Sequence, residues 1–148
     1  MYEKLAKVKI GGNELPIRCD INILGTIQEE FGSMVAFEQK IIGMYPVLDK
    51  NGKQITKEDG TIEYTMGEPS IHAIAYALPL FILEGIAQAE LQGEDYSDID
   101  WRPALKDADF NYIEIALALY NEFQRCFHRK KKVTNTKSQS RTKKTPTK

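Results

Sequence analysis

The chain has 148 residues, of which 42% are hydrophobic and 28% are charged, and this predicts one soluble domain with a single core. The formal net charge of −1 conceals an uneven distribution of charge along the chain. Residues 128–148 hold nine of the 20 Lys and Arg residues and no acidic residue. Residues 1–127 therefore hold 11 basic and 21 acidic residues, a balance of −10. The two cysteines, Cys19 and Cys126, exclude a disulfide framework and the N-terminus lacks the apolar stretch of a signal peptide, so we expect a cytoplasmic protein.

The first part of the chain predicts a β-hairpin followed by two short helices. Apolar residues alternate on both sides of a Gly-Gly turn, which is typical of a tight hairpin. Asp20 stands where the N-cap of the first helix belongs, and the helical apolar spacing ends at Gly32. Ser33 is expected to cap a second helix, which Gly43 terminates.

Residues 45–67 predict a polar excursion from this helical body. Its Asn-Gly and Asp-Gly pairs favour the primed turns of tight hairpins, so we expect one or two hairpins that form an arm. The segment that begins at Asp49 resembles a calcium loop only superficially, because Gly60 stands where such a loop needs a bidentate Glu. We predict a turn there and no metal.

A long helix follows the arm. Pro69 is expected in its first turn, where the missing N–H costs nothing, and the helix runs to about Leu91 with a kink near Pro79. Its surface is apolar nearly all round, which predicts the central helix of a core and not a membrane span.

An acidic connector leads to the last helix, which is expected to start near Pro103 or Asp109 and to end near Phe127. Residues 128–148 contain almost no apolar residue and are predicted to be a disordered basic tail. The predicted architecture is therefore α+β and mostly α. An N-terminal hairpin, four or so helices and a central hairpin excursion make up a domain of residues 1–127, and the tail follows it.

Nothing in the sequence has the spacing of a catalytic or metal site. His72 lies on an apolar helix, and His128 follows Cys126 by two residues, but neither has the partners that a metal ion or acid–base catalysis needs. Gly-rich phosphate loops, nucleophile elbows and zinc-type histidine pairs do not occur. We therefore predict a protein that is not an enzyme and that uses no cofactor.

The basic tail raises the question of nucleic acid. Its first four basic residues are Arg129, Lys130, Lys131 and Lys132. Such runs bind phosphate backbones through counterion release. The tail has no aromatic residue to stack on bases, however, and the acidic body repels nucleic acid, so binding to nucleic acid is disfavoured. A solubilising end or an electrostatic contact explains the tail equally well.

Several segments of residues 1–127, in their order along the chain, resemble the pattern of a known protein family. They are the hairpin of residues 8–18 with the helix of residues 20–32, the stretch 67–78, and the pair 84–85 followed by the acidic turn 93–96. Their apolar and turn pattern resembles the tail assembly chaperones of long-tailed phages and prophages of Gram-positive bacteria, over roughly residues 5–127. The long basic end departs from that pattern.

The resemblance implies a helper protein that acts in the bacterial host cytoplasm and is absent from the finished virion. Members of the family bind the long helical tape-measure protein, keep it soluble and help to recruit tail-tube subunits around it. A longer form made by ribosomal frameshifting is common in the family. This role is compatible with general physical principles, because the exposed apolar stripes of a long helical client would aggregate. A groove between the helices of the helper protein would shield them.

The residues expected to contact such a client lie along two apolar edges, one after the first helix and one on the last. They are Phe31, Met34, Phe37 and Ile41 on the first edge, and Tyr112, Tyr120 and Phe127 on the second. For each of them taken alone, a core position is the favoured alternative, and self-association through the same edges is another. The other hypotheses are a nucleic-acid-associated protein that acts through its tail and a structural tail or connector component.

Overall fold

A computed structural model describes residues 4–144 of the chain, with side chains described through His128. The elements in chain order are β1 (Ala6–Ile10), β2 (Asn13–Ile17), α1 (Ile21–Phe31), α2 (Met34–Ile42), β3 (Met44–Pro46), β4 (Tyr64–Met66), α3 (Ile71–Leu91), α4 (Arg102–Lys106) and α5 (Tyr112–Lys144). This mostly helical α+β architecture with an N-terminal β-hairpin confirms the predicted fold class.

The first helices begin and end where the local sequence predicts. The Asp20 carboxylate accepts the N–H of Ile23 at 2.9 Å and caps α1, which ends at Gly32 in the left-handed conformation. The Ser33 hydroxyl accepts the N–H of Ala36 at 3.0 Å and caps α2 in the same way. Each cap satisfies backbone donors that a helix cannot satisfy within itself, so the boundaries need no distant contact.

The arm of residues 44–66 is a ribbon that ends in two small hairpins. β3 and β4 pair antiparallel at its base. Beyond them the N–H of Val47 donates to Glu63 O at 2.9 Å, and Val47 O accepts the N–H of Ile55 at 3.0 Å. Ile55 O in turn accepts the N–H of Glu63 at 2.9 Å, so three short segments hold one another. The predicted central hairpin excursion is confirmed.

Two aspartates close the turns of the arm. Asp49 Oδ1 accepts the N–H groups of Asn51 and Lys53, at 2.8 and 3.0 Å. Asp59 Oδ1 accepts both the N–H and the hydroxyl of Thr61, at 3.0 and 2.6 Å, and these bonds lower the pKa of Asp59. Both carboxylates are therefore engaged within their own turns.

α3 runs through the centre of the fold and touches the N-terminal hairpin backbone to backbone. A Cβ on Gly85 would lie 2.1 Å from Pro16 O, so only glycine allows α3 and β2 to approach this closely. The N–H of Arg18 donates to Phe81 O at 2.9 Å and joins the end of β2 to the helix. The Ser70 hydroxyl caps α3, so Pro69 precedes the cap and does not lie in the first turn as predicted.

The core lies between the hairpin, α1, α2, α3 and the first half of α5. Its three largest fully buried side chains are Phe37, Phe81 and Phe123. The rings of Phe37 and Phe123 lie 5.0 Å apart, and Phe31 continues the row at 5.2 Å from Phe37. By length and composition α3 is apolar enough to cross a membrane, a test that core helices also pass, and 39% of its most apolar stretch is buried.

The end of the body corrects the predicted last helix. In place of one helix from Pro103 or Asp109, the chain forms the short α4, turns, and begins α5 at Tyr112. Ala108 takes a positive φ of 54° in the turn, which interrupts the helix. Asn111 Oδ1 then accepts the N–H groups of the second and third residues of α5, each at 3.2 Å, and caps the new helix.

The backbone of α5 is helical through Lys144, and the disorder predicted from residue 128 stays a prediction. No Gly or Pro occurs between Tyr112 and Lys144, so no residue type breaks the helix, and Pro146 lies outside the described residues. Side chains from residue 129 onward also lie outside them. The electrostatic role of Arg129 and of Lys130, Lys131 and Lys132 therefore stays a prediction.

Candidate partner-binding site

An open apolar groove of about 610 Å³ lies between α3 and α4. Its lining comes from α3, from α4 with the residue before it, and from the chain that leads into α5. The lining residues are Ile71, Ile74, Ala75, Leu78, Pro79, Trp101, Arg102, Leu105, Lys106, Ala108, Phe110 and Tyr112. We call this feature the α3–α4 groove.

One wall of the groove is a row of residues along α3. Ile71, Ala75 and Pro79 follow one another at intervals of four, which places them on one face of the helix over a length of about 12 Å. Ile71 is 59% exposed, although it is a large apolar residue. Ile74 and Leu78 stand beside the row and are almost completely buried, so they join the groove to the core.

The opposite wall belongs to α4 and carries positive charge. Trp101 is 6% exposed, and the Arg102 guanidinium lies 4.7 Å from the centre of its ring, a cation–π contact. Lys106 follows Arg102 by four residues and is exposed on the same helix. Within the part of the chain that the structure describes, these two are the charged residues of the lining.

Tyr112 lies at the start of α5 and lines one end of the groove. Its hydroxyl donates to Glu68 Oε1 at 3.3 Å, and the charge of Glu68 raises the pKa of Tyr112. The phenol is therefore neutral at physiological pH and offers an apolar ring with one polar atom. Of the seven residues predicted to contact a partner, Tyr112 is the one that the structure places in this groove.

The remaining predicted contacts lie away from the groove. Phe37 and Ile41 have no exposed surface, which corrects their assignment to an apolar surface edge, because the packing of α2 against α5 encloses them. Phe31 and Met34 are half-buried at the turn between α1 and α2. Phe31 contacts the ring of Tyr76 edge-on at 5.6 Å and so belongs to an aromatic cluster that is partly open.

Tyr120 and Phe127 are half-buried on α5 and pack against the core. The ring of Phe127 lies 5.4 Å from that of Phe123, which in turn contacts Phe37. The structure thus joins the two predicted edges through one row of aromatic rings. That row is mostly internal, and this lowers its capacity to bind a partner.

A buried polar cluster that the sequence did not reveal ties α5 to the start of α1. Glu122 is 5% exposed, and one of its carboxylate oxygens accepts the N–H of Cys19 at 2.8 Å. Arg125 donates to the same carboxylate at 2.5 Å and to Cys19 O at 3.0 Å. The three groups satisfy one another, so the cluster fixes the position of α5 and has no free group for chemistry.

The fold brings the two cysteines into one buried place. Cys19 and Cys126 are both buried thiols, and a hydrogen bond with Cys126 together with burial raises the pKa of Cys19. A thiol with a raised pKa is a weak nucleophile, so the pair acts as core residues.

The two histidines form separate surface pairs. His72 Nε2 lies 2.9 Å from Glu30 Oε2, and His128 Nε2 lies 3.2 Å from Glu38 Oε2. Gln124 also donates to Glu38. Among residues whose side chains the structure describes, no group of three or more His, Cys, Asp or Glu residues converges as metal ligands would.

The groove could have been sought from one signal in the sequence. α3 is apolar nearly all round, and a helix with more apolar surface than one core can cover indicates a second apolar contact. The opposite wall was not predictable, because the sequence indicates an acidic connector of residues 93–100 followed by one long helix from near Pro103 or Asp109, and no separate short helix.

A scan against protein-family models, a search of curated proteins and a search of solved structures found no match to this chain.

Proposed function

We propose that this protein is a binding protein without enzymatic activity, a chaperone of phage tail assembly that acts in the host cytoplasm. It binds the tape-measure protein, keeps it soluble and helps to recruit tail-tube subunits. The observation that supports this proposal is the α3–α4 groove, which is open and whose lining is mostly apolar. The resemblance of residues 5–127 to tail assembly chaperones supplies the identity of the client.

The groove supports a binding role for a physical reason. Contiguous apolar surface that is rimmed by polar residues often marks an interaction site of a soluble domain. Ile71 is exposed and the ring of Phe110 is half-buried beside Ala75 and Pro79, and covering them would remove apolar area from water. Few polar atoms converge in the lining, which favours an apolar protein segment over a small polar metabolite.

Co-expression with the tape-measure protein tests the proposal. The soluble fraction of the tape-measure protein should rise when this chain is present and should stay at its low basal value with an unrelated helical protein of similar charge. If the soluble fraction does not change at any ratio of the two proteins, the chaperone proposal is wrong.

A second candidate rests on the nine basic residues of positions 128–148, which would hold nucleic acid by their charge. Removal of residues 129–148 separates the two candidates. The chaperone proposal expects full solubilisation of the client by the shortened chain, whereas a nucleic-acid protein loses its retention on nucleic acid. A third candidate, a structural tail component, predicts that mass spectrometry of purified particles detects the chain.

A further inference from the structure

The charged side chains that line the α3–α4 groove indicate the chemistry of its occupant. The body carries 11 basic against 21 acidic residues, and yet the two charged residues of the described groove lining, Arg102 and Lys106, are both basic. An apolar channel with a positive wall on an acidic domain attracts a partner that is apolar along its centre and negative along one side.

We propose that the α3–α4 groove docks one amphipathic helix of a partner protein, and that Asp or Glu residues one turn apart flank the apolar stripe of this helix. The proposal rests on the proposed function and names the kind of segment that the client presents. Arg102 and Lys106 form ion pairs with the acidic residues of the docked helix. Its apolar stripe packs against the row of Ile71, Ala75 and Pro79 on α3.

The shape of the α3 wall fits a helix. Residues spaced by four form a ridge along a helix, and the side chains of a second helix pack beside such a ridge. Ala75 stands in the middle of the row and is small, so a large apolar side chain of the partner has room between Ile71 and Pro79. The row of about 12 Å corresponds to roughly two turns of the docked helix.

The spacing of the two basic residues fits the same partner. Arg102 and Lys106 lie about 6 Å apart along the axis of α4, which is the separation of two acidic residues at positions i and i+4 of a helix. Stacking over Trp101 holds the Arg102 guanidinium in place. A charge that is already positioned loses less side-chain entropy when it binds a carboxylate.

Two other occupants fit less well. The tail of residues 128–148 belongs to this chain but is basic and almost without apolar residues, so the positive wall repels it. A second copy is the stronger alternative, because Ile113 and Leu117 are 58% and 59% exposed on α5 with Glu114 beside them. That stripe carries a single acidic residue within the turn, whereas the groove offers two bases.

The test uses two synthetic helical peptides with the same leucine stripe. One carries Glu pairs at i and i+4 beside the stripe, and the other carries Lys pairs at the same positions. Trp101 is the single tryptophan of the chain and lines the groove, so its fluorescence reports occupancy directly. The full chain should bind the Glu peptide about tenfold more tightly than the Lys peptide, because two exposed ion pairs replace two repulsions.

Charge reversal tests the role of the two bases. The double variant R102E/K106E should exchange the preference and bind the Lys peptide more tightly by about tenfold. The matched control is K53E/K57E, which reverses two exposed lysines with the same spacing in the arm and should keep the original preference. Equal preference in the two double variants overturns the proposal.

Blocking the apolar wall tests the position of the site. Ala75→Glu places a charge in the groove and should weaken binding of the Glu peptide at least tenfold. Ala87→Glu changes another exposed alanine of α3 that does not line the groove, and it should bind as the unmodified chain does. The proposal is overturned if both variants weaken peptide binding equally or if neither variant weakens it.

The same variants separate this inference from the proposed function. If Ala75→Glu still solubilises the tape-measure protein fully, the chaperone proposal stands and the groove assignment is overturned. If the peptides bind as expected but the tape-measure protein stays insoluble with the unmodified chain, the groove assignment stands and its client is another protein. If Ala75→Glu converts a dimer of this chain into a monomer in sedimentation experiments, the occupant is a second copy and the proposal is overturned.

Discussion

The two sides of α3 carry the same class of side chain, but one side is buried in the core and the other borders an open groove. On the closed side, which faces β2 and α5, Phe81 is completely buried and Gly85 brings the helix against the strand backbone. On the open side, which faces α4, the row of Ile71, Ala75 and Pro79 borders the α3–α4 groove. An apolar pattern on a helix thus states which residues favour leaving water but not which surface covers them.

The difference follows from the lengths of the covering elements. The closed side meets the long helix α5 and the N-terminal hairpin, which together enclose it. The open side meets α4, which spans the five residues Arg102–Lys106 and ends at the turn around Ala108. A helix of fewer than two turns covers too little surface to close the space beside a helix of 21 residues.

Truncating one phenylalanine on each side gives the largest expected contrast. Phe37→Ala should lower the free energy of unfolding by about 3–5 kcal/mol, because Phe37 is fully buried in the core that closes α3. Phe110→Ala should cost less than about 1.5 kcal/mol, because this half-buried ring faces the groove. Urea denaturation measures both values, and equal losses would break the comparison between the two sides.

A methyl group added at Gly85 should have the next largest effect. Gly85→Ala should lower the free energy of unfolding by about 3 kcal/mol, because the new Cβ meets Pro16 O and neither backbone can move freely. Gly25→Ala in α1 is the matched control, since no atom lies within 4 Å of its Cβ position. That control should gain up to about 1 kcal/mol from helix propensity, so thermal unfolding should shift in opposite directions.

The buried polar link of the closed side should contribute somewhat less. Glu122→Gln should lower the free energy of unfolding by about 2 kcal/mol, because Arg125 loses its charged partner in a place from which water is largely excluded. Glu114→Gln changes an exposed acid on the same helix and should stay within about 0.5 kcal/mol. Chemical denaturation of both variants at pH 7 compares them, and a neutral Glu122→Gln would show that the cluster does not hold α5.

The smallest expected effect is a pH-dependent change in stability at Glu84 of α3. Burial and the charge of Asp20 raise the pKa of Glu84, whereas Arg18 opposes them. The folded protein therefore holds this proton more tightly than the unfolded chain, and stability is lost as pH rises through the unfolded and then the folded pKa. Glu84→Gln should raise the melting temperature slightly at pH 7 and leave it unchanged near pH 3. An equal rise at both pH values would contradict this origin.

Local chemistry explains why much of the fold could be predicted. Asp20, Ser33 and Ser70 each cap a helix through a donor three residues away, and the turns of the arm close through their own aspartates. Such bonds depend on neighbours in the chain, so a sequence pattern is enough to find them. The start of the last helix was placed wrongly because the turn between α4 and α5 depends on the positive φ of Ala108. An alanine in the sequence does not indicate such a backbone conformation.

The candidate site could be predicted only in part. Tyr112 was predicted and lines the groove, whereas Phe37 was predicted and lies in the core. Both are aromatic residues at apolar positions of helices. Which of them faces solvent depends on the length of the element packed opposite, and one-dimensional spacing does not contain that information.

The sequence by itself determined the helix caps, the hairpin turns, the apolar character of α3 and the division of charge between body and tail. Each depends on residues close together in the chain or on composition alone. Only the tertiary structure decided that Glu122 holds the backbone of Cys19, 103 positions away, and that α4 leaves one side of α3 open. Contacts of this kind form between segments that are distant in sequence, where packing and not local preference selects the partner.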